Sequence, residues 1–226
     1  MSSERLEVKS FSEARFDHQV RYAWAKQHLP ETGTGLDAFC GCGYGTAYLR
    51  EEGKRRCVGV DGSLAAIGWA REHFGASEDS DTDGFVSLAW PHPWFRYQYG
   101  WDFVVSLESL EHVEDPIQLF VDLARSLRVG GVLVASSPNA DLLPKLPGTF
   151  PHHHQHLTLE TLLDLGSFEW NGADTGKLEL LDWAGQDVYE LHPEGRVKSL
   201  IEDELRMVPR ERTPGQFTLI AARRTR

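Results

Sequence analysis

The stretch Gly35-Leu36-Asp37-Ala38-Phe39-Cys40-Gly41-Cys42-Gly43-Tyr44-Gly45-Thr46 decides the fold. It opens as a short apolar run of strand character, Gly35 to Phe39, and closes in a glycine-rich turn. A helix is predicted over Thr46 to Glu52. Glycine permits positive φ and lets a ligand approach the backbone without meeting a Cβ. A strand, a glycine turn and a helix open a doubly wound sheet, whose ligands sit outside the carboxyl ends of the strands. The spacing is GxGxG followed by Thr46, whereas a dinucleotide fingerprint places its third glycine where Thr46 stands. The pattern favours a nucleoside with no pyrophosphate to cradle.

Working outward, strand-like and helix-like segments alternate. Upstream, Phe11 to His28 has loose helical spacing and ends before Pro30 and Gly33. Downstream, Arg56 to Val60 reads as a second strand closed by Asp61-Gly62. Ser63 caps a helix over Leu64 to Phe74, with Leu64, Ile67, Ala70 and Phe74 on one face. Phe85 to Ala89 and Trp101 to Leu107 are the third and fourth strands, Pro116 to Leu127 an amphipathic helix, and Val132 to Ala135 a fifth strand after the turn Gly130-Gly131. Leu178 to Trp183 and Phe217 to Ala222 are strand-like, the latter placed to add antiparallel to the sheet. The expected fold is α/β, a doubly wound, mostly parallel, seven-stranded sheet with helices on both faces and an antiparallel last strand. Its 226 residues suit one such domain over 1–226, with an N-terminal helical cover at about residues 10–30. Trp90, Trp94, Phe95, Tyr97, Tyr99 and Trp101 crowd one loop. Those rings pack on the domain edge or form a wall facing a substrate, the first being preferred.

The net charge of -11 disfavours a generally nucleic-acid-binding surface, which is usually basic. No apolar run is long enough to span a membrane, and the N-terminus lacks the layout of a signal peptide. Three cysteines, Cys40, Cys42 and Cys57, read as reduced thiols of a cytoplasmic protein, without the second pair that structural zinc needs. Nothing in the sequence bears on oligomeric state.

Asp61, at the end of the second strand, can accept hydrogen bonds from both hydroxyls of a ribose. With the glycine turn and the alternating elements, it makes the chain resemble the class I S-adenosylmethionine-dependent methyltransferases. The match runs from about Arg21 to Pro138 and more weakly beyond. Leu36-Asp37 through Gly45 resembles the family's first motif, and Val58-Gly59-Val60-Asp61 its second. Trp101 to Val105 with Glu108 to Pro116 resembles the fourth-strand segment of ubiquinone-type O-methyltransferases. Arg21-Tyr22 resembles a paired motif in a helix that covers the cofactor in some relatives. The resemblance implies that Gly41, Gly43 and Gly45 lie against the methionine part, that Asp61 holds the ribose, and that Gly62 and Ser63 border the adenine. Ala89-Trp90 departs from the family's acidic residue after strand three, so Trp90 is expected against the base. Asp37, Cys42 and Leu107 complete the expected cofactor set.

Glu108, Glu111 and His112 form ExxEH after strand four, and His152, His153, His154 and His156 follow strand five. Two carboxylates and imidazoles can hold a divalent ion, and the mixture suits manganese, iron, cobalt, nickel or zinc better than magnesium. The set resembles the metal site of small-RNA terminal 2′-O-methyltransferases, with Glu108, Glu111, His112 and His156 as expected ligands. His156 is chosen because it directly precedes an expected helix start at Leu157-Thr158. Without metal, the glutamates anchor loops, and His112 or His156 serves as general base on a hydroxyl. The leading expectation is O-methylation of a small molecule such as a catechol, sugar or natural product. The alternatives are a metal-assisted ribose 2′-O-methyltransferase acting on nucleic acid and a non-catalytic cofactor-binding module.

Overall fold

A computed structural model describes residues 6–50, 54–75, 84–92, 100–171 and 175–226. A 3-10 turn at Phe11–Glu13 precedes helix α1, Phe16–His28. Then come β1 (Gly33–Ala38), α2 (Tyr44–Arg50), β2 (Arg55–Asp61), α3 (Leu64–Phe74), β3 (Phe85–Ser87) and β4 (Trp101–Ser106). After them follow α4 (Pro116–Ser126), β5 (Leu127–Pro138), α5 (Leu159–Gly166), β6 (Glu169–Trp170) and β7 (Gly176–Gln186). The chain ends with β8 (Tyr189–Leu191), β9 (Val197–Leu200), β10 (Arg210–Glu211) and β11 (Phe217–Arg224).

The main sheet runs β10-β7-β11-β5-β4-β1-β2-β3, with β6 added on β7. It has nine strands rather than the seven expected, because the two-residue strands β6 and β10 pair with β7. β1 to β5 are mutually parallel, and β11 enters antiparallel between β5 and β7, as the sequence suggested for the last strand. β8 and β9 form a separate hairpin.

Burial is continuous along the carboxyl halves of the central strands, so both faces of the sheet are covered. Leu36, Val104 and Leu133 face a core completed by Leu119, Phe120 and Leu123 of α4. Phe103, Val105, Val132 and Val134 face the other, completed by Tyr22, Trp24 and Ala25 of α1 and Leu49 of α2. Local chemistry sets the helix starts. The Asp115 side chain accepts from Gln118 N with Pro116 in the first turn of α4, and the Ser63 hydroxyl accepts from Ala66 N at α3. Thr158 caps α5 in the same way.

Several boundaries differ from the sequence reading. α2 starts two residues early, at Tyr44, and residues 51–53 lie outside the described set. β3 stops at Ser87, with Leu88 N giving the last bond of its parallel pairing to Asp61 O. β5 spans Leu127–Pro138, but residues 128–131 break its register, with Gly130 at φ 86, and continuous pairing with β4 and β11 begins at Val132, after the two glycines. Of the aromatic loop, residues 93–99 lie outside the described set, while Trp101 is buried and the Trp90 ring packs on the core. Among the described residues, no helix is long and apolar enough to cross a membrane.

Candidate active site

The carboxyl ends of β1, β2, β4 and β5 share one edge of the sheet, and every candidate residue lies along it or in the elements packed over it. At β1 the backbone leaves the strand through Phe39 (φ 62), Gly41 (φ 55) and Gly43 (φ 86). Cys40 N donates to Val60 O at 3.0 Å and keeps this turn beside β2. The three glycines answer different demands. A Cβ on Gly41 would meet nothing within 4 Å, so this backbone borders open space. A Cβ on Gly43 would stand 2.7 Å from the Ala70 methyl and 2.8 Å from the Phe85 ring, and one on Gly45 would overlap the Tyr22 ring. Two of the three are thus required by packing inside the protein. Cys42 is buried in the same turn, and all three cysteines are free of disulfides.

Asp61 ends β2. Its Oδ2 accepts from Gly41 N at 3.0 Å and its Oδ1 from Ser63 N at 2.8 Å, which ties the glycine turn to the start of α3. The carboxylate remains partly exposed, with lone pairs to spare for a ligand. Gly62 and Ala89 meet at the ends of β2 and β3, where a Cβ on Gly62 would lie 3.3 Å from that of Ala89. Trp90, expected against the base, is partly buried and packs against the core. Its indole N–H donates to Asp122 Oδ2 of α4 at 3.0 Å, beside the Gln118 side chain that donates to Asp122 Oδ1. Leu107 is buried just beyond β4.

Asp37 is fully buried under the glycine turn. It accepts from Thr46 Oγ1 at 2.6 Å and from the Tyr22 hydroxyl at 3.2 Å, so strand, turn and covering helix are pinned together. Burial pushes its carboxyl up to about 7. Arg21, one residue before Tyr22, donates through Nε to Gln186 Oε1 at 2.9 Å and lies over the Phe217 ring. Its guanidinium stands 3.8 Å from both Asp17 Oδ2 and Glu108 Oε1. Glu108 has φ 53, rare for a non-glycine residue. Ser136 of β5 holds it there: the hydroxyl donates to Glu108 Oε1 at 2.6 Å and receives Glu108 N at 3.0 Å.

Glu111 is a different case. It is 1% exposed, and neither carboxylate oxygen has a hydrogen-bond partner. Burial, then the neighbouring charge of Glu108, holds its carboxyl well above the usual range. One ligand atom each from Glu111, His112 and His153 lies within 4.8 Å of the others. Glu108 and His156, both expected as ligands, are outside this group. Glu108 is engaged with Ser136 and Arg21, and the His156 ring hydrogen-bonds His153 and the Leu143 carbonyl. Burial and the neighbouring imidazoles hold His153 down at about 3. The sequence offered four histidines in one run, and the spacing of three between His153 and His156 was the signal available for the pair. Which member faces Glu111 depends on the turn around Phe150 (φ 48), where His153 N donates to Phe150 O.

The fold and its relatives define a class I S-adenosylmethionine-dependent methyltransferase domain. The chain belongs to the methyltransferase-domain family, whose model matches residues 8–197. A protein of Mycolicibacterium smegmatis, named as a probable S-adenosylmethionine-dependent methyltransferase, is 31% identical over 162 residues. That match takes in 67% of this chain and 58% of the relative, so the chain spans little more than half of the relative's length. Among solved structures, a methyltransferase from Thermotoga maritima, described as a possible histamine N-methyltransferase, superposes with a TM-score of 0.60 at 19% identity. It covers 92% of this chain and 90% of its own. The N-methyltransferase NodS of Bradyrhizobium japonicum, in complex with S-adenosylhomocysteine, superposes with a TM-score of 0.57 at 15% identity, over 96% of this chain and 91% of its own. At these identities the two structures share the fold with this chain.

Proposed function

We propose that the protein transfers a methyl group from S-adenosylmethionine to a hydroxyl oxygen of a small molecule, with a divalent ion beside the acceptor. The observation that carries this reading is Glu111, a buried carboxylate with two unpartnered oxygens set against two imidazoles. A native fold seldom leaves such a group unpaired unless a ligand completes it. The donor set fits a first-row divalent ion, with Glu111, His112 and His153 as its holders. When bound, the ion supplies Lewis acidity that lowers the pKa of a coordinated hydroxyl.

The cofactor, when bound, supplies an electrophilic methyl group on a sulfonium. Gly41, with open space before it, gives a close backbone approach, and Asp61 accepts the ribose hydroxyls. Gly62, Ser63 and Ala89 border the base, Leu107 lines the floor, and Tyr22 and Arg21 close the cleft from α1. Asp37, Cys42, Gly43 and Gly45 act beneath the cofactor by shaping the turn. In the reaction a carbon–oxygen bond forms as the carbon–sulfur bond breaks. The hydroxyl proton leaves to solvent or a base at the cleft, and the chain's main contribution is alignment.

The test is a panel assay with labelled S-adenosylmethionine and catechol, sugar and amine acceptors, with and without chelator. Chelation should abolish methylation of the hydroxyl acceptors and leave S-adenosylhomocysteine binding unchanged in calorimetry. Methylation of amines, undiminished by chelator, refutes the oxygen and metal parts together. Tight RNA binding with steep salt dependence and terminal ribose methylation replaces the small-molecule acceptor with nucleic acid.

A further inference from the structure

The histidine cluster holds a directional hydrogen-bond chain that bears on the proposed ion and rests on that reading. His156 Nδ1 lies 2.6 Å from Leu143 O. A carbonyl oxygen can only accept, so Nδ1 of His156 carries the proton and, in the neutral ring, Nε2 is bare. That bare Nε2 lies 2.8 Å from His153 Nδ1, which must therefore be the donor. The proton on Nδ1 of His153 leaves its Nε2 with a lone pair. His112 arrives at the same state independently, because its Nδ1 lies 3.1 Å from His152 O. The two rings meet edge to face, with centroids 4.8 Å apart.

We infer that His153 is the second imidazole ligand and that His156 acts behind it as a positioning residue, fixing the tautomer that makes Nε2 of His153 available to the ion beside Glu111 and His112. Metal-bound imidazoles usually donate their other N–H to an acceptor that sets tautomer and ring orientation. Here the acceptor is another histidine, itself locked by the Leu143 carbonyl. Phe150 stacks on His153 with ring centroids 5.0 Å apart and lies edge-on to His156 at 5.1 Å, which holds the pair in register.

The experiment has two arms. In the first, cobalt(II) is titrated by calorimetry and visible absorption into wild type, His153→Ala, His156→Ala and His156→Gln. Retained S-adenosylhomocysteine binding serves as the check on folding. Loss of a ligand should abolish binding in His153→Ala. Loss of the partner behind it should weaken binding by about 10–100-fold in His156→Ala while one ion still binds. Glutamine, which offers an amide donor and an acceptor, should recover part of the affinity. If His156→Ala loses the ion outright and His153→Ala keeps it, the assignment is reversed. If His156→Ala binds like wild type, the positioning role is gone while the ion remains. If wild type binds no cobalt, manganese or zinc, the ion itself is refuted. In the second arm, nitrogen NMR of the metal-free wild type reads the tautomers directly. Protonation of His153 at Nδ1 is expected, and protonation at Nε2 overturns the inference whether or not the variants fold.

Discussion

Glu111→Gln should make the metal-free protein more stable, although it removes a group proposed for function. The wild-type carboxyl group is 1% exposed, both oxygens lack a partner, and burial together with the charge of Glu108 disfavours its ionisation. Leaving a buried polar group unsatisfied costs about 1–3 kcal/mol, and more when it is charged. Glutamine keeps the volume and cannot ionise. Its amide can donate to the bare imidazole nitrogens of His112 or His153. The gain is therefore about 1–3 kcal/mol, set by that same penalty. With a urea m-value of about 2–3 kcal/mol/M for a chain of this size, the unfolding midpoint should rise by roughly 0.5–1 M in the presence of EDTA. Adding cobalt(II) at one hundred times its dissociation constant stabilises wild type by about 2.7 kcal/mol and should leave the variant nearly unmoved. The order of the two midpoints should then reverse or close. A variant that is less stable than wild type in EDTA by more than about 1 kcal/mol would refute the reasoning, because an unsatisfied group has only its desolvation penalty to lose.

Burial holds Asp37 at about 7, so the folded chain keeps a proton that the unfolded chain releases near 3.8. This site's stability is present below the unfolded value and is lost as pH rises towards 7, by up to about 4 kcal/mol. Asp37→Asn should remove that slope. His18 and His153, both held near 3 by burial, act in the opposite direction up to about 6.5, so the difference between the two proteins' melts is the readout. Gly45→Ala should lower stability by about 1–3 kcal/mol despite alanine's better helix propensity, because the added methyl displaces the Tyr22 ring. Gly41→Ala, with open space before it, should cost only about 1–2 kcal/mol for its positive φ and act mainly on S-adenosylhomocysteine affinity. Calorimetry and thermal melts on the pair should separate the two glycines, and equal effects on both readouts would contradict the division of roles. Asp61→Ala should weaken S-adenosylhomocysteine binding by about 1–3 kcal/mol in calorimetry, and unchanged affinity would remove the ribose assignment.

The elements legible in the sequence are those whose cause is local. β1 with its glycine turn, the Ser63 cap, Pro116 in the first turn of α4 and the apolar face of that helix follow from periodicity and turn chemistry within a dozen residues. The ExxEH segment announced ionisable groups after β4, and Glu111 and His112 do stand together there. What the sequence concealed depends on distant partners. β6 and β10 have two residues each, too few for a pattern, and exist because β7 offers them an edge. The two glycines at 130 and 131 do interrupt the ladder, with continuous pairing to β4 and β11 from Val132, but the lone pair of Leu127 with Trp101 extends β5 back before them. Choosing between His153 and His156 requires the Leu143 carbonyl, thirteen residues back on another turn.

The insertion of β11 between β5 and β7 also bears on how the chain is made. Two strands that lie side by side with it in the finished sheet are synthesised first and cannot close on each other, because a full strand's width separates them. Roughly 80 residues follow β5 before its partner begins. At about 5–20 residues per second, the ribosome takes several seconds to deliver them. For that interval the buried stretch Val132–Pro138 presents one row of bare backbone donors and acceptors beside an apolar surface, a template for pairing with any other strand. A chaperone that recognises extended apolar segments therefore has a defined target and a defined window on this protein, and release from it is complete only when Phe217–Arg224 slides home.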